Sequence, residues 1–339
     1  MAARVTIGEL ARRLDISTAA VSYALNGQSG VSEETRQRVR ALAQELGYHP
    51  SSSARALSRA RSGAIGVVLT RAPQQIGVEP YYMQVLAGME MVLAESEMSL
   101  LLRVVDAAPG NDLEVYRRWS AERRVDGVVL FDEREDDARF GLLESLGLPA
   151  VLQGGPVRGA ERYVPPDDAG SARLILGHLR ELGHREVLHV GGFGQFMHER
   201  RRWRYISAEA QRQQMRACHV ASDYTLEGGL EATTTMLSGP DRPTAVIYSN
   251  DLMAIGGLRA AQAAGVSIPG ELALLSWDDS LLCTISQPAI TAVDRHPLAY
   301  GRRTAQVLLD VIEGRESTVE PEPVNELRAR ATTVATRPA

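Results

Sequence analysis

Between Ser17 and Asn26 the chain reads STAAVSYALN, and helical spacing divides these residues in two. Val21, Ala24 and Leu25 form an apolar stripe, while Thr18, Ala19, Ser22 and Tyr23 are small or hydrogen-bonding. Neutral donors and acceptors of this size suit the edges of base pairs better than bond-making chemistry. The residues for catalysis are missing. No GKS/T phosphate loop, HExxH or Ser-His-Asp order appears, and VLHVGGFGQFM has Met197 where a dinucleotide loop needs its third glycine. His178, His184 and His189 do not fall at a metal spacing. Cys218 and Cys283 lie far apart without CxxC and read as reduced core residues. No catalytic residue, metal or cofactor is expected.

The elements that must position the polar stripe can be read from their ends. Thr6, with Glu9 three residues later, is a capping box before Ile7, Leu10, Ala11 and Leu14, which predicts a helix over about 6–13. Asp15-Ile16 breaks it, Ser17 caps the second helix and Asn26-Gly27 ends that one. Ser32 opens a third helix with Glu33 and Glu34 in its first turn and Val39, Leu42, Ala43 and Leu46 along its buried stripe. Gly47 and Pro50 stop it. Two short helices joined by so tight a turn make a helix-turn-helix whose second helix can enter a major groove. A plain three-helix bundle with a merely solvated polar face is the alternative.

Charge favours the first reading. Residues 1–61 hold nine Arg against five Asp or Glu, a net +4, which leaves −9 on the rest of a chain whose total is −5. A basic end on an acidic body can use local phosphate binding. The 339 residues exceed one ordinary core and suit a small module joined to a larger one of about 270 residues. No apolar run nears the roughly 18 residues of a membrane span, and the N-terminus has no secretory pattern, so a soluble cytoplasmic protein is expected.

From Ile65 onward apolar runs (IGVVL, LLLRVV, DGVVLF, PAVLQ, VLHV, AVIYS, LALLSW) alternate with amphipathic stretches, as in parallel sheets covered by helices. Ligands of such sheets bind beyond the C-terminal ends of the strands. Between the two modules, SSSARALSRARS is polar, basic and too short to be a stable helix alone. It reads by itself as a linker.

VTIGELARRLDISTAAVSYALNG, VSEETRQRVRALAQELGYHP and ARALSRARSGAIGVVL closely resemble the lactose-repressor and galactose-repressor family of bacterial regulators, without a gap through the first seventy residues. The resemblance implies an N-terminal all-α helix-turn-helix domain (1–50), a hinge helix or linker (51–62), and a two-lobe, periplasmic-binding-protein-like α/β core with parallel sheets (63–339). Its first lobe would hold about 63–160 and 292–322, its second about 161–291 and 323–339. It implies DNA contacts from Thr6, Ser17, Thr18, Ala19, Ser22, Tyr23 and Asn26, with Ala54, Arg55 and Leu57 in the hinge, where Leu57 wedges into the minor groove. Tyr23 stands where Arg is common, so a bidentate contact to guanine is lost there.

For the inter-lobe cleft the resemblance implies effector contacts from Tyr81, Tyr82, Arg202, Asn250 and Asp278. All but Asp278 have an ordinary alternative: packing at a helix start for the tyrosines, a solvated arginine run for Arg200–Arg202, a helix cap for Asn250. Gln153-Gly154-Gly155 departs from the family pattern at another cleft edge. The expected protein is a repressor of a metabolic operon that binds palindromic double-stranded operator DNA. It would act as a homodimer, with a tetramer open, under control of a small-molecule effector, sugars being favoured because many relatives bind them. An activator of the same family, or a two-lobe receptor without DNA function, is the alternative.

Overall fold

The computed structural model describes residues 5–48, 61–71, 79–106, 108, 110–240, 242–316 and 323–334. The chain divides into two compact units, Met1–Gly63 and Ala64–Ala339.

In the first unit α1 (Ile7–Leu14), α2 (Thr18–Asn26) and α3 (Glu33–Glu45) follow the capping signals closely. Thr6 Oγ1 accepts from Glu9 N at 3.3 Å, Ser17 Oγ from Ala20 N at 3.1 Å and Ser32 Oγ from Thr35 N at 3.2 Å. Asp15 takes a left-handed conformation (φ 55°), which turns the chain between α1 and α2. Leu10, Ala11, Val21, Ala24, Val39 and Ala43 are the buried core.

The second unit has two lobes. In the first, β1 (Ala64–Thr70), α4 (Pro80–Glu95), β2 (Ser99–Val105), α5 (Asn111–Ala121), β3 (Gly127–Leu130), α6 (Ala138–Ser145), β4 (Ala150–Gln153) and β5 (Tyr163–Val164) build a five-stranded sheet of order β2-β1-β3-β4-β5, parallel throughout. The second lobe contains α7 (Asp168–Glu181), β6 (Glu186–Gly191), α8 (Met197–Arg212), β7 (Arg216–Ala221), α9 (Leu226–Ser238), β8 (Ala245–Tyr248), α10 (Asp251–Ala263), β9 (Ala273–Ser276), α11 (Leu281–Ile285) and β10 (Thr291–Asp294). The chain then forms α12 (Pro297–Glu313) and β11 (Glu326–Arg328). The second sheet has the order β11-β10-β9-β8-β6-β7, parallel except for β11 against β10.

The lobe boundaries differ from the sequence expectation. AITAV does not return to the first lobe: Thr291 pairs with Leu275 of β9, so β10 completes the second sheet and the crossing falls at Arg295–His296. β5 belongs to the first sheet, which moves the earlier crossing past residue 164. An apolar run does not state which of two sheets has the free edge that will accept it. α12 alone returns, packing Tyr300, Ala305, Leu308 and Leu309 against Val85 and Met89 of α4. The two helices meet at glycine: a Cβ on Gly88 would lie 2.0 Å from the Leu298 carbonyl oxygen, and one on Gly301 2.0 Å from that of Val85. Cys218 is exposed on the edge strand β7 rather than in the core; Cys283 is buried. Among the described residues no helix is long and apolar enough to cross a membrane.

Candidate functional site

In the first unit the candidate face is the N-terminal half of α2. Ser17, Thr18, Ala19 and Tyr23 are exposed, Tyr23 by 42%, and Ser22 is half-buried. Packing dictates this, because Val21 and Ala24 are wholly buried and turn the other positions outward. The first turn of α2 has no acidic residue, so its positive dipole end is left to an anion. The hydroxyls of Thr6 and Ser17 are already spent on caps, which keeps both residues at helix starts. Asn26 closes α2. Ala54, Arg55 and Leu57 lie outside the described residues.

In the second unit the candidate site is a cleft lined from both lobes, with a cavity of about 60 Å³. The strands of the two parallel sheets aim their C-terminal ends at it. Arg71 follows β1, Asp132 lies just past β3, Gln153 ends β4 and Ser249 follows β8.

On the first lobe Arg71 is held through its two terminal nitrogens, while its buried Nε has no hydrogen-bond partner among the described residues. Its Nη1 donates to the Thr70 carbonyl at 3.2 Å and pairs with Asp132 Oδ2 at 2.9 Å; its Nη2 donates to the Tyr82 hydroxyl at 3.0 Å. The Tyr82 hydroxyl in turn donates to Asp132 at 2.9 Å. The guanidinium lies 4.7 Å from the Phe196 ring centre and 5.5 Å from that of Tyr224, both on the second lobe. Asp132 has a positive φ of 54°, a left-handed conformation that costs about 1 kcal/mol or more and that its hydrogen bonds from Tyr82 and Arg139 hold in place. Burial opposes the charge of Asp132, yet Arg71 holds its carboxyl below the usual range.

On the second lobe Arg202 donates to Glu199 Oε1 at 3.0 Å and to the Ser249 carbonyl at 3.3 Å, with its guanidinium 5.3 Å from the Trp277 ring centre. Its Nε and Asp168 Oδ1, 3.7 Å apart, are both buried without a hydrogen-bond partner. Glu199 also accepts from Gly192 N, Ser249 Oγ and the Tyr224 hydroxyl. Burial would raise its carboxyl, but Arg202, His198, His189 and the Gly192 N–H bring it down to about 2. Asp168 goes the other way: burial outweighs Arg202 and raises it. Burial holds His198 below the usual imidazole range, with Glu199 opposing the shift.

Of the residues expected in the cleft, Tyr81, Tyr82, Arg202 and Asp278 line it and Asn250 does not. Asn250 caps α10, accepting from Met253 N at 2.9 Å and donating to the Tyr224 carbonyl at 3.0 Å, so both ends of its amide are spent. Asp278 is paired with Arg295, whose guanidinium lies 4.8 Å from the Tyr81 ring centre. The arginine run is no solvated face. Arg200 is exposed and pairs with Glu135 at 2.6 Å, but Arg201 pairs with the buried Glu133 and Arg202 enters the cleft. Trp277 is wholly buried in the core. The glycine pair after β6 serves packing, since a Cβ on Gly192 would lie 1.8 Å from Tyr224 Cζ. Among the described residues no group of His, Cys, Asp or Glu could hold a metal.

Arg71, Glu79, Asp132, Asp168, Glu199 and Arg295 were missed. Arg71 and Asp132 had a signal: each is a charged residue at the end of an apolar strand run.

Residues 176–333 match the periplasmic binding protein-like domain and residues 6–51 the bacterial regulatory proteins of the lacI family. The transcriptional repressor PurR of Proteus mirabilis is 30% identical over 330 residues, spanning 94% of this chain and 94% of that protein. The chain belongs to the lacI family. This lacI-family regulator is also similar to the transcriptional regulator CelR of Thermobifida fusca, at 29% identity over 324 residues and 94% of each chain. In structure it is similar to a CelR–cellobiose complex (TM-score 0.72, 26% identity, 97% of this chain and 100% of that one). It shares the fold of the Lac repressor dimer bound to operator and the anti-inducer ONPF (TM-score 0.84, 23% identity, 98% and 100%). Its relatives are transcription regulators, and it is a regulator rather than an enzyme.

Proposed function

We propose that this lacI-family regulator is a cytoplasmic repressor that binds a palindromic operator as a homodimer and is released or recruited by a sugar bound in its inter-lobe cleft. The observation that carries the proposal is the uncommitted pair in that cleft. Arg202 Nε offers a donor and Asp168 Oδ1 an acceptor, 3.7 Å apart and both buried. A hydroxyl both donates and accepts, so one inserted between them satisfies two groups that otherwise cost about 1–3 kcal/mol each. The CelR relative whose complex holds cellobiose supports a sugar as its source.

Thr18, Ala19, Ser22 and Tyr23 address the major groove, with Thr6, Ser17 and Asn26 near phosphates. The segment 51–62, with Ala54, Arg55 and Leu57, is the hinge between reading and sensing. Support for a dimer comes from α11, where Leu281 is 72% and Ile285 62% exposed, apolar surface that a second copy can cover.

Selection from random duplexes should enrich a palindrome with half-sites about one helical turn apart. If about 6 phosphates are neutralised per dimer, log affinity for that duplex should fall with log salt at a slope near −5. A slope near zero contradicts the proposal.

A further inference from the structure

Each cation of the cleft has an acid beside it, although Arg71 Nε, Arg201 Nη1 and Arg202 Nε make no hydrogen bond among the described residues. Arg71 has Asp132, Arg295 has Asp278, Arg201 has Glu133 and Arg202 has Glu199. Against this balance Glu79 is surplus. It immediately precedes α4, is only 8% exposed and lines the cleft. Among the described residues its carboxylate makes no hydrogen bond or ion pair, and it does not cap its own helix. The charges that act on it most strongly are Arg71, which is engaged with Asp132, and the acids Asp132, Asp278 and Asp251. On the opposite wall Asp168 Oδ1 makes no hydrogen bond among the described residues, its nearest cation being Arg202 Nε at 3.7 Å.

A buried carboxylate with no partner, among other acids, is costly unless it takes up a proton or a cation. We infer that the effector carries a protonated amine which pairs with Glu79, making it an amino sugar rather than a neutral one. The assignment rests on the sugar reading of the same cleft, and it concerns the lobe-one wall rather than Arg202. Tyr81 and Tyr82 also line the cleft, but their rings already lie against the guanidinium groups of Arg295 and Arg71, at 4.8 Å and 5.7 Å, so the carboxylate rather than the rings holds the amine.

Burial pushes the Glu79 carboxyl up to about 7, with Arg71 pulling it down and Asp132, Asp278 and Asp251 pushing it further up. The sign of the pH effect follows. An amine binds the ionised carboxylate, so without ligand Glu79 must lose a proton on binding. Affinity for the amine therefore rises with pH below about 7; an amino-sugar ammonium is more acidic than an alkylammonium because of its neighbouring oxygens, so the rise levels off as pH approaches about 7 and the amine begins to lose its own charge.

Calorimetry on the full chain tests this with four probes: cellobiose, its β-1,4-linked glucosamine counterpart, the N-acetylated form of that dimer, and spermidine. The diamino sugar is expected to bind at least about tenfold more tightly than cellobiose or the acetylated dimer at pH 7, releasing up to one proton. Its affinity should rise severalfold between about pH 5.5 and 6.5 while that of cellobiose does not. Glu79→Gln should abolish this preference and the pH dependence without lowering the melting temperature. If the variant does not fold, the wild-type pH profile and proton release decide alone. Cellobiose or the acetylated dimer binding as tightly as the diamino sugar would overturn the amine assignment and leave the sugar reading standing. Spermidine binding with no sugar binding would overturn the sugar reading and leave Glu79 as a cation site. Binding by none of the four overturns the assignment.

Discussion

Ala19→Glu should lose at least about 100-fold in operator affinity while its helix becomes no less stable. Ala19 is the second residue of α2 and fully on the exposed side. A carboxylate there suits the positive end of the helix, which has no acidic residue in its first turn, and is worth a few tenths of a kcal/mol in favour of folding. On the DNA side the same charge meets phosphates, where a like-charge contact costs several kcal/mol. Fluorescence anisotropy against the selected duplex, with a thermal melt alongside, separates the two effects. Undiminished affinity would remove the exposed face of α2 from DNA reading.

Arg202→Ala should abolish effector binding, with a loss of about 100-fold or more. The arginine answers Glu199 and sits beside Asp168, each only 2% exposed, and its removal leaves two acids buried without their cation. Breaking a buried pair by removing one partner costs about 3–5 kcal/mol, part of which appears as lost stability of the second lobe. Glu199, now near 2, would then rise, because burial would act without Arg202 to oppose it. Arg202→Lys distinguishes folding from recognition. It restores the charge beside Glu199 but not the Nε–H that faces Asp168, so stability should recover more than sugar affinity does. Recovery of both together would make Arg202 a structural residue only.

The parts of this fold that announce themselves in sequence are those governed by local chemistry. Thr6 with Glu9, Ser17 and Ser32 specify helix starts because their hydroxyls have a backbone N–H three residues on, a contact that needs no tertiary context. Buried parallel strands such as AVIYS and LALLSW are legible as apolar runs, whereas β7, RACHVA, is an exposed edge strand and has no such run. The same edge position explains why Cys218 is exposed.

The cleft was half legible. Arg202 and Asp278 line it as expected, but Asn250 does not, because a strand-end Asn before a helix serves equally well as a cap and packing decided for the cap. The partners of Arg71 come from four separate segments, Tyr82, Asp132 and the rings of Phe196 and Tyr224, and only the folded chain brings them together. Glu79 is invisible to pattern reading for the same reason: what distinguishes it is the lack of a partner, a property of the finished structure.

The cleft and α2 matter to each other only if a ligand in one changes the affinity of the other. The most direct measurement is therefore the affinity of the full chain for the selected duplex with and without saturating cellobiose or its diamino counterpart, in wild type and in Arg202→Ala. Coupled sites predict a shift of about 5- to 150-fold in the wild type, in either direction, and none in the variant. A sugar that binds the wild-type cleft by calorimetry yet leaves operator affinity unchanged would contradict the account.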